Sequence, residues 1–208
     1  MRIFNPDSSE ADMCGNGVRC LAKFAFDKKI VKNKHRIETG AGIIEALIRG
    51  NAVKARLTDP KDFQSSMELK VGERKEKIYF INTGVPHAVI FDPKLEHVPV
   101  DQRGREIRRH SYFAPKGANV NFVKVNRNHS INVRTYERGV EGETLACGTG
   151  STASALVSSL VEHLDSPVLV HTMGGEVLKI YFKNENGGWK DVFLEGPVQK
   201  TFEGSIKL

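Results

Sequence analysis

The sequence predicts a mixed α/β (α+β) chain dominated by antiparallel-style sheet, and three observations carry that reading. Short β-branched and aromatic runs bounded by Gly, Asn and Pro recur along most of the 208 residues. Helical periodicity is concentrated in two segments, each opening directly after a Cys-Gly-x-Gly turn. Those two turns lie 133 positions apart in near-copies of one unit. The same offset carries Glu10, Cys14, Gly15, Gly17, Ala22, Thr39 and Gly42 onto Glu143, Cys147, Gly148, Gly150, Ala155, Thr172 and Gly175 without a gap. Identities rich in Cys and Gly are hard to obtain by chance, so the chain reads as a duplicated unit with one thiol in each copy.

Taken in order, the first copy places Val18, Leu21, Ala22 and Ala25 at helical spacing after its turn. Strands follow at residues 36–39, 43–48 and 52–57, the first two joined by the tight turn Gly40-Ala41-Gly42. A unit boundary is placed near Asp59-Pro60. Strand-like runs then occupy residues 77–82, 88–91, 120–125 and 131–136. In the second copy, residues 151–161 are small and apolar all round, which predicts a buried helix threaded through a sheet or barrel. Strands at 168–172, 177–182 and 191–194 complete it, with a glycine-rich turn at 184–188. Both copies thus read helix, strand, tight turn, hairpin. Only a short stretch precedes Cys14, whereas a long strand-rich one precedes Cys147, so the first copy is expected to lack its opening strands here.

A hydrophobic content of 39% allows a core that needs neither metal nor disulfide. No apolar run approaches the roughly 18 residues of a membrane span, and the start has no signal-peptide h-region. A soluble, cytoplasmic protein with no membrane partner is expected. The three cysteines are few and odd in number, which argues against a disulfide framework, and they lack the C-x-x-C spacing of a zinc site. Cys20 reads as a small buried hydrophobe; a Cys14–Cys147 disulfide stays open under oxidation. The net charge of +6 is spread along the chain, with one basic cluster at residues 103–110. No nucleic-acid motif accompanies it, so the cluster reads as a solvated charged face, with attraction of an anionic small substrate as the lesser alternative.

The chemistry lies in the cysteine turns. A thiol acts as base or nucleophile only as thiolate, and a helix N-terminus favours the charged form through its unpaired N–H groups and dipole. Those N–H groups also bind carboxylates, and the flanking glycines let a ligand reach the bare backbone. Two facing turns could clamp one carboxylate with a thiol on each side of the adjacent carbon. One cysteine would take an α-proton from one face while the other returns a proton to the opposite face. The alternative for a single copy is a tight turn around a buried thiol; duplication shifts the balance toward chemistry. No P-loop, dinucleotide fingerprint or pyridoxal phosphate signature is present, so no cofactor and no metal are expected.

The chain resembles the diaminopimelate epimerase family over essentially its whole length. The resemblance is carried by Phe4-Asn5-Pro6-Asp7-Ser8-Ser9-Glu10, Met13-Cys14-Gly15-Asn16-Gly17-Val18-Arg19-Cys20, Gly84-Val85-Pro86-His87, Asn119-Val120-Asn121-Phe122-Val123, Tyr136-Glu137-Arg138-Gly139, Glu143-Thr144-Leu145-Ala146-Cys147-Gly148-Thr149-Gly150 and Gly196-Pro197. It implies two pseudo-symmetric domains, each a mostly antiparallel sheet wrapped around a central helix. The first would span residues 1–58 plus 196–208 and the second residues 59–195, with the active site between them. It implies a cofactor-independent epimerase of LL- and meso-diaminopimelate in lysine and peptidoglycan precursor biosynthesis, acting on a small-molecule amino acid, with a homodimer left open. Cys14 and Cys147 would be the acid/base pair, and Gly15, Asn16, Gly148 and Thr149 would bind the reacting carboxylate. Asn5, Asn119, Glu137 and Arg138 would hold the remote amino-acid centre, with His87 beside the site in a supporting role. Val85 stands where many members carry Asn, and members usually begin well upstream of this first residue. Alternatives are another two-thiol racemase of the proline racemase type, an inactive binding remnant, and a thiol–disulfide redox protein.

Overall fold

A computed structural model describes residues 1–4, 8, 10–11, 13–185 and 187–205. Strands β1 (Ile3–Phe4) and β2 (Glu10–Ala11) pair antiparallel and lead to α1 (Gly15–Asp27). A meander of β3 (Lys34–Thr39), β4 (Gly42–Arg49) and β5 (Ala52–Arg56) follows. Next come β6 (Lys61–Val71), β7 (Arg74–Asn82), β8 (Pro86–Phe91), α2 (Val100–Arg108), β9 (Asn119–Val125), β10 (Ser130–Glu137) and β11 (Gly142–Thr144). The chain then forms α3 (Gly148–Val161), β12 (Val168–Thr172), β13 (Val177–Glu185) and β14 (Gly188–Pro197).

All strands after β2 join one 12-stranded sheet in the order β3-β4-β5-β14-β13-β12-β10-β9-β8-β7-β6, with β11 paired to β10. The run α1-β3-β4-β5 is repeated as α3-β12-β13-β14, and the two meanders meet where β5 pairs antiparallel with β14. Even the tight turns are closed alike: Thr39 Oγ1 donates to Gly42 O at 2.7 Å, and Thr172 Oγ1 donates to Glu176 O at 3.2 Å.

The two repeated helices differ in what surrounds them. Helix α1 buries Val18, Arg19 and Ala22 on one face and leaves Phe24 exposed, as its amphipathic spacing requires. Helix α3 is buried from Gly148 through Ser159 and contributes Ala153, Ala155, Leu156 and Val157 to the main core. Burying a side chain the size of Leu156 or Val157 stabilises by about 1.5–3 kcal/mol. A second core lies under α2, whose Val100 and Ile107 pack with Phe122 and Tyr136.

Several expectations change. Helix α2 and strand β6 do not stand out in the sequence, and two pairings, β8–β9 and β10–β12, are parallel. Cys20 is exposed, because the buried face of α1 is supplied by Gly15, Val18, Arg19 and Ala22. The basic cluster is only partly a solvated face: Arg103 lies half-buried, forked onto Glu76 at 3.1 and 2.8 Å and donating to Asp92 at 2.8 Å. Among the described residues, no helix is long and apolar enough to cross a membrane.

Candidate active site

Each conserved-spacing cysteine of the repeat is the N-cap of a helix. Cys14 and Cys147 take extended backbone conformations (φ −140°, ψ 115° and φ −117°, ψ 111°). Each thiol accepts the N–H three residues on, from Gly17 and Gly150 respectively, at 3.3 Å in both cases. This is the capping arrangement usually made by Ser, Thr, Asn or Asp, here supplied by sulfur. The cysteine carbonyls accept the next N–H, from Val18 at 2.9 Å and Ser151 at 2.8 Å. Among the described residues, the N–H groups of Gly15, Asn16, Gly148 and Thr149 have no acceptor, as expected of a first helical turn.

The two helix ends abut. A Cβ placed on Gly15 would lie 3.3 Å from Gly148 Cα and 2.9 Å from Leu194 Cδ2. A Cβ on Gly148 would lie 3.2 Å from Gly15 Cα and 3.0 Å from the same Leu194 atom. A side chain on either glycine would press on the opposing backbone and on Leu194, so glycine lets the turns approach this closely. Asn16 ties the seam from α1, its Nδ2 donating to Ala146 O at 3.2 Å. Thr83 ties it from the turn after β7, its hydroxyl donating to Thr149 O at 3.1 Å.

A cleft of about 540 Å³ opens above the seam. Cys14, Gly15, Asn16, Cys147, Gly148 and Thr149 form one wall, and Val85, Arg108, Asn119, Glu137, Arg138 and Glu141 contribute to the remainder. Glu137 ends β10 and accepts from Thr144 Oγ1 at 2.6 Å. Asn119 opens β9; its Oδ1 accepts the Arg138 N–H at 2.9 Å and its Nδ2 donates to Pro86 O at 3.2 Å. Of the catalytic and substrate-binding residues expected from sequence, nine share this cleft: Cys14, Gly15, Asn16, Asn119, Glu137, Arg138, Cys147, Gly148 and Thr149. Asn5 lies outside the described residues. His87 is fully buried and does not line the cleft; its Nδ1 faces Asn121 Nδ2 at 3.1 Å. Asn121 in turn accepts from Thr135 Oγ1 at 3.0 Å.

The electrostatics of the walls are uneven. Burial, and then the Glu137 carboxylate, push the Cys147 thiol up to about 12, against the opposing pull of the Thr149 hydroxyl and the Gly150 N–H. Cys147 is 8% exposed, whereas Cys14 is only half-buried. Burial, aided by the Arg138 charge, pushes His87 down to about 3, so its imidazole is neutral. The Arg138 guanidinium is itself lowered from its ordinary value, by burial first and by Arg108 next. Arg108, Glu141 and Glu10 also line the cleft. Neither Arg108 nor Glu141 is singled out by sequence patterning, although Arg108 belongs to the basic cluster. Among the described residues, no group of three or more His, Cys, Asp or Glu side chains is arranged to hold a metal ion.

Comparison with known proteins gives concordant findings. The family model described as diaminopimelate epimerase matches residues 1–61 and 79–201. A diaminopimelate epimerase of Hydrogenobaculum sp. strain Y04AAS1 is 48% identical over 98% of this chain and 73% of its own length. One from Aquifex aeolicus is 50% identical over 98% of this chain and 73% of its own. Among solved structures, a hydroxyproline epimerase from Agrobacterium vitis superposes with a TM-score of 0.71 over 94% of this chain and 67% of that one, at 15% identity, which is a likeness of fold. On the family match and this level of identity, the chain belongs to the diaminopimelate epimerase family.

Proposed function

We propose that the chain interconverts LL- and meso-diaminopimelate without a cofactor, passing protons at the α-carbon between Cys14 and Cys147. The observation that supports this most is the head-to-head meeting of two thiol-capped helix ends at one wall of a single cleft. The reacting carboxylate would sit on the N–H groups of Gly15, Asn16, Gly148 and Thr149, where two helix dipoles favour negative charge. One cysteine, as thiolate, takes the α-hydrogen as a proton; its S–H bond forms as the C–H bond breaks. The electron pair moves into the carboxylate, whose growing charge the same N–H groups stabilise. The opposite thiol delivers its proton to the other face and is left as thiolate, so the centre inverts with no net proton uptake. The reverse reaction exchanges the roles.

The raised Cys147 thiol suits the acid role in the free protein, since it keeps its proton throughout the neutral range. At the far end, Arg138 would pair with the remote carboxylate and Glu137 with the ammonium, with Asn119 and Asn5 orienting them. His87 would act as a positioning residue beneath the cleft through Asn121. A division into a first domain of residues 1–58 with 196–208 and a second of 59–195 belongs to the same reading, as do cytoplasmic location and a homodimer. The test is incubation of reduced protein with LL-diaminopimelate in deuterium oxide. The expected result is formation of the meso epimer with deuterium at the inverted carbon; neither inversion nor exchange would sink the proposal.

A further inference from the structure

The basic stretch at residues 103–110 sends one of its side chains into the cleft. Arg108, the last residue of α2, lines the same cavity as the thiols, Arg138 and Glu141, with its side chain 21% exposed. Its Nε donates to Glu141 Oε1 at 2.8 Å, and among the described residues its two Nη groups have no acceptor. Gly117 walls in the guanidinium: a Cβ there would stand 2.6 Å from Arg108 Nη1 and 2.7 Å from Arg108 O.

Glu141 is built to hold this arginine. The hydroxyl of the fully buried Tyr136 donates to its Oε2 at 3.2 Å, and the Gly139 N–H donates to Oε1 at 3.2 Å. Its own N–H donates to Glu137 O at 2.8 Å. These bonds are made with Glu141 at φ 60°, a left-handed conformation that costs an L-residue roughly 1–2 kcal/mol and that Gly or Asn usually fills. A glutamate kept at such a position points to a use for its carboxylate. The outcome is two guanidinium groups lining one cleft, Arg138 donating to Lys116 O at 3.4 Å beside the Gly117 that packs on Arg108, and Arg108 disfavours the charge on Arg138. One carboxylate, Glu141, is bonded to only one of them. A second anion would relieve the repulsion, and the free Nη groups offer it donors.

We infer that Arg108, oriented by Glu141, is a second cationic arm at the far end of the cleft and selects an amino acid carrying a carboxylate there. This rests on the reading of the cleft as the site of a diamino-dicarboxylic acid. The test is calorimetric titration of the reduced protein with meso-diaminopimelate and with lysine, which lacks the far carboxylate. Arg108→Gln is expected to weaken diaminopimelate binding tenfold or more, to leave lysine binding within twofold, and Arg108→Lys to recover part of the loss. Unchanged diaminopimelate binding in Arg108→Gln overturns the inference, and so does an equal loss for both ligands, which would mean a collapsed cleft. Wild-type protein that binds both ligands equally also overturns it, whatever turnover shows. Protein that binds with the expected preference, and loses it in Arg108→Gln, but exchanges no α-hydrogen sustains this inference and removes the epimerase proposal instead.

Discussion

The Cys14 turn and the Cys147 turn are the same object in two solvents. Both cysteines cap a helix through sulfur, both accept a backbone N–H at 3.3 Å, and both are followed by a glycine that abuts its counterpart. Yet α1 exposes one face, while α3 is buried along almost its whole length. The 133-residue offset makes the contrast concrete: Cys20, Lys23 and Phe24 on α1 correspond to Ala153, Leu156 and Val157 on α3. Cys20 and Phe24 are exposed, whereas the three α3 residues are fully buried. Local backbone geometry is set by the Cys-Gly-x-Gly motif and survives in both copies. Solvation is set by what packs around the motif, and it has diverged. Equal cap geometry thus leaves the two thiols in unequal surroundings, with Cys147 almost fully buried and Cys14 only half-buried.

The largest expected effect breaks the equality of the thiols in turnover. Cys14→Ala and Cys147→Ala are each expected to lower epimerisation by about 10²–10⁴-fold, since each removes one general acid/base group. The informative readout is deuterium exchange in the single variants. A remaining lone thiol reaches one face only, so exchange without inversion should favour opposite epimers in the two variants. Continued inversion by either would rule out the two-thiol scheme.

A second comparison concerns the helices. Leu156→Ala opens a cavity beside α3 and is expected to cost about 2–5 kcal/mol. Lys23→Ala, at the corresponding place on α1, removes an i,i+4 pair with Asp27 at 2.6 Å and is expected to change stability by no more than about 0.5 kcal/mol. Urea unfolding of both variants measures the difference. Comparable losses would mean that α1 is as deeply packed as α3.

The same asymmetry explains what could be read from the sequence. The repeat, the two cap turns and most strands were legible because Cys, Gly and period-2 or period-3.6 patterns are local signals. Helix α2 was hidden by its arginines and by Gly104, although Pro99 before it, Asp101 in its first turn and Arg105 and Arg108 in its last are start and stop signals. Strand β6 is a polar edge strand, with only Met67, Leu69 and Val71 alternating at its end. The parallel pairings depend on tertiary placement and leave no local trace. In the site, the thiol turns follow from the repeat, but Asn119, Glu137 and Arg138 were reached only through family resemblance. Arg108 was reached only as one member of the basic cluster and Glu141 not at all, because a last-turn arginine and a left-handed glutamate have meaning only once α2 and the β10–β11 turn meet.

The glycine seam is where the two copies should behave alike. Gly15→Ala and Gly148→Ala each push a methyl against the other glycine's Cα and against Leu194, at nearly the same distances. Each is expected to cost about 1–3 kcal/mol by overpacking. The methyls would oppose each other directly, so the double variant should lose more than the sum of the singles. Strict additivity, or single losses differing by more than about 2 kcal/mol, would show that the seam is less symmetric than its geometry.

The smallest effect separates the buried thiol by titration. Burial, and then Glu137, raise Cys147 from the ordinary 9.0 to about 12 in the folded protein. The folded state thus holds this proton more tightly than the unfolded chain. Its stabilising contribution is fully present below about pH 9 and is lost as pH rises from there toward about 12, because the unfolded chain ionises first. The slope cannot exceed about 1.4 kcal/mol per pH unit for one proton. Lysines and tyrosines titrate in the same range, so the useful quantity is the difference between wild type and Cys147→Ser. Between about pH 8 and pH 10, wild-type stability should fall by roughly 1 kcal/mol more than that of the variant. Parallel pH curves would mean that Cys147 is hydrated in solution, and would remove the asymmetry between the two turns that assigns it the acid's part at rest.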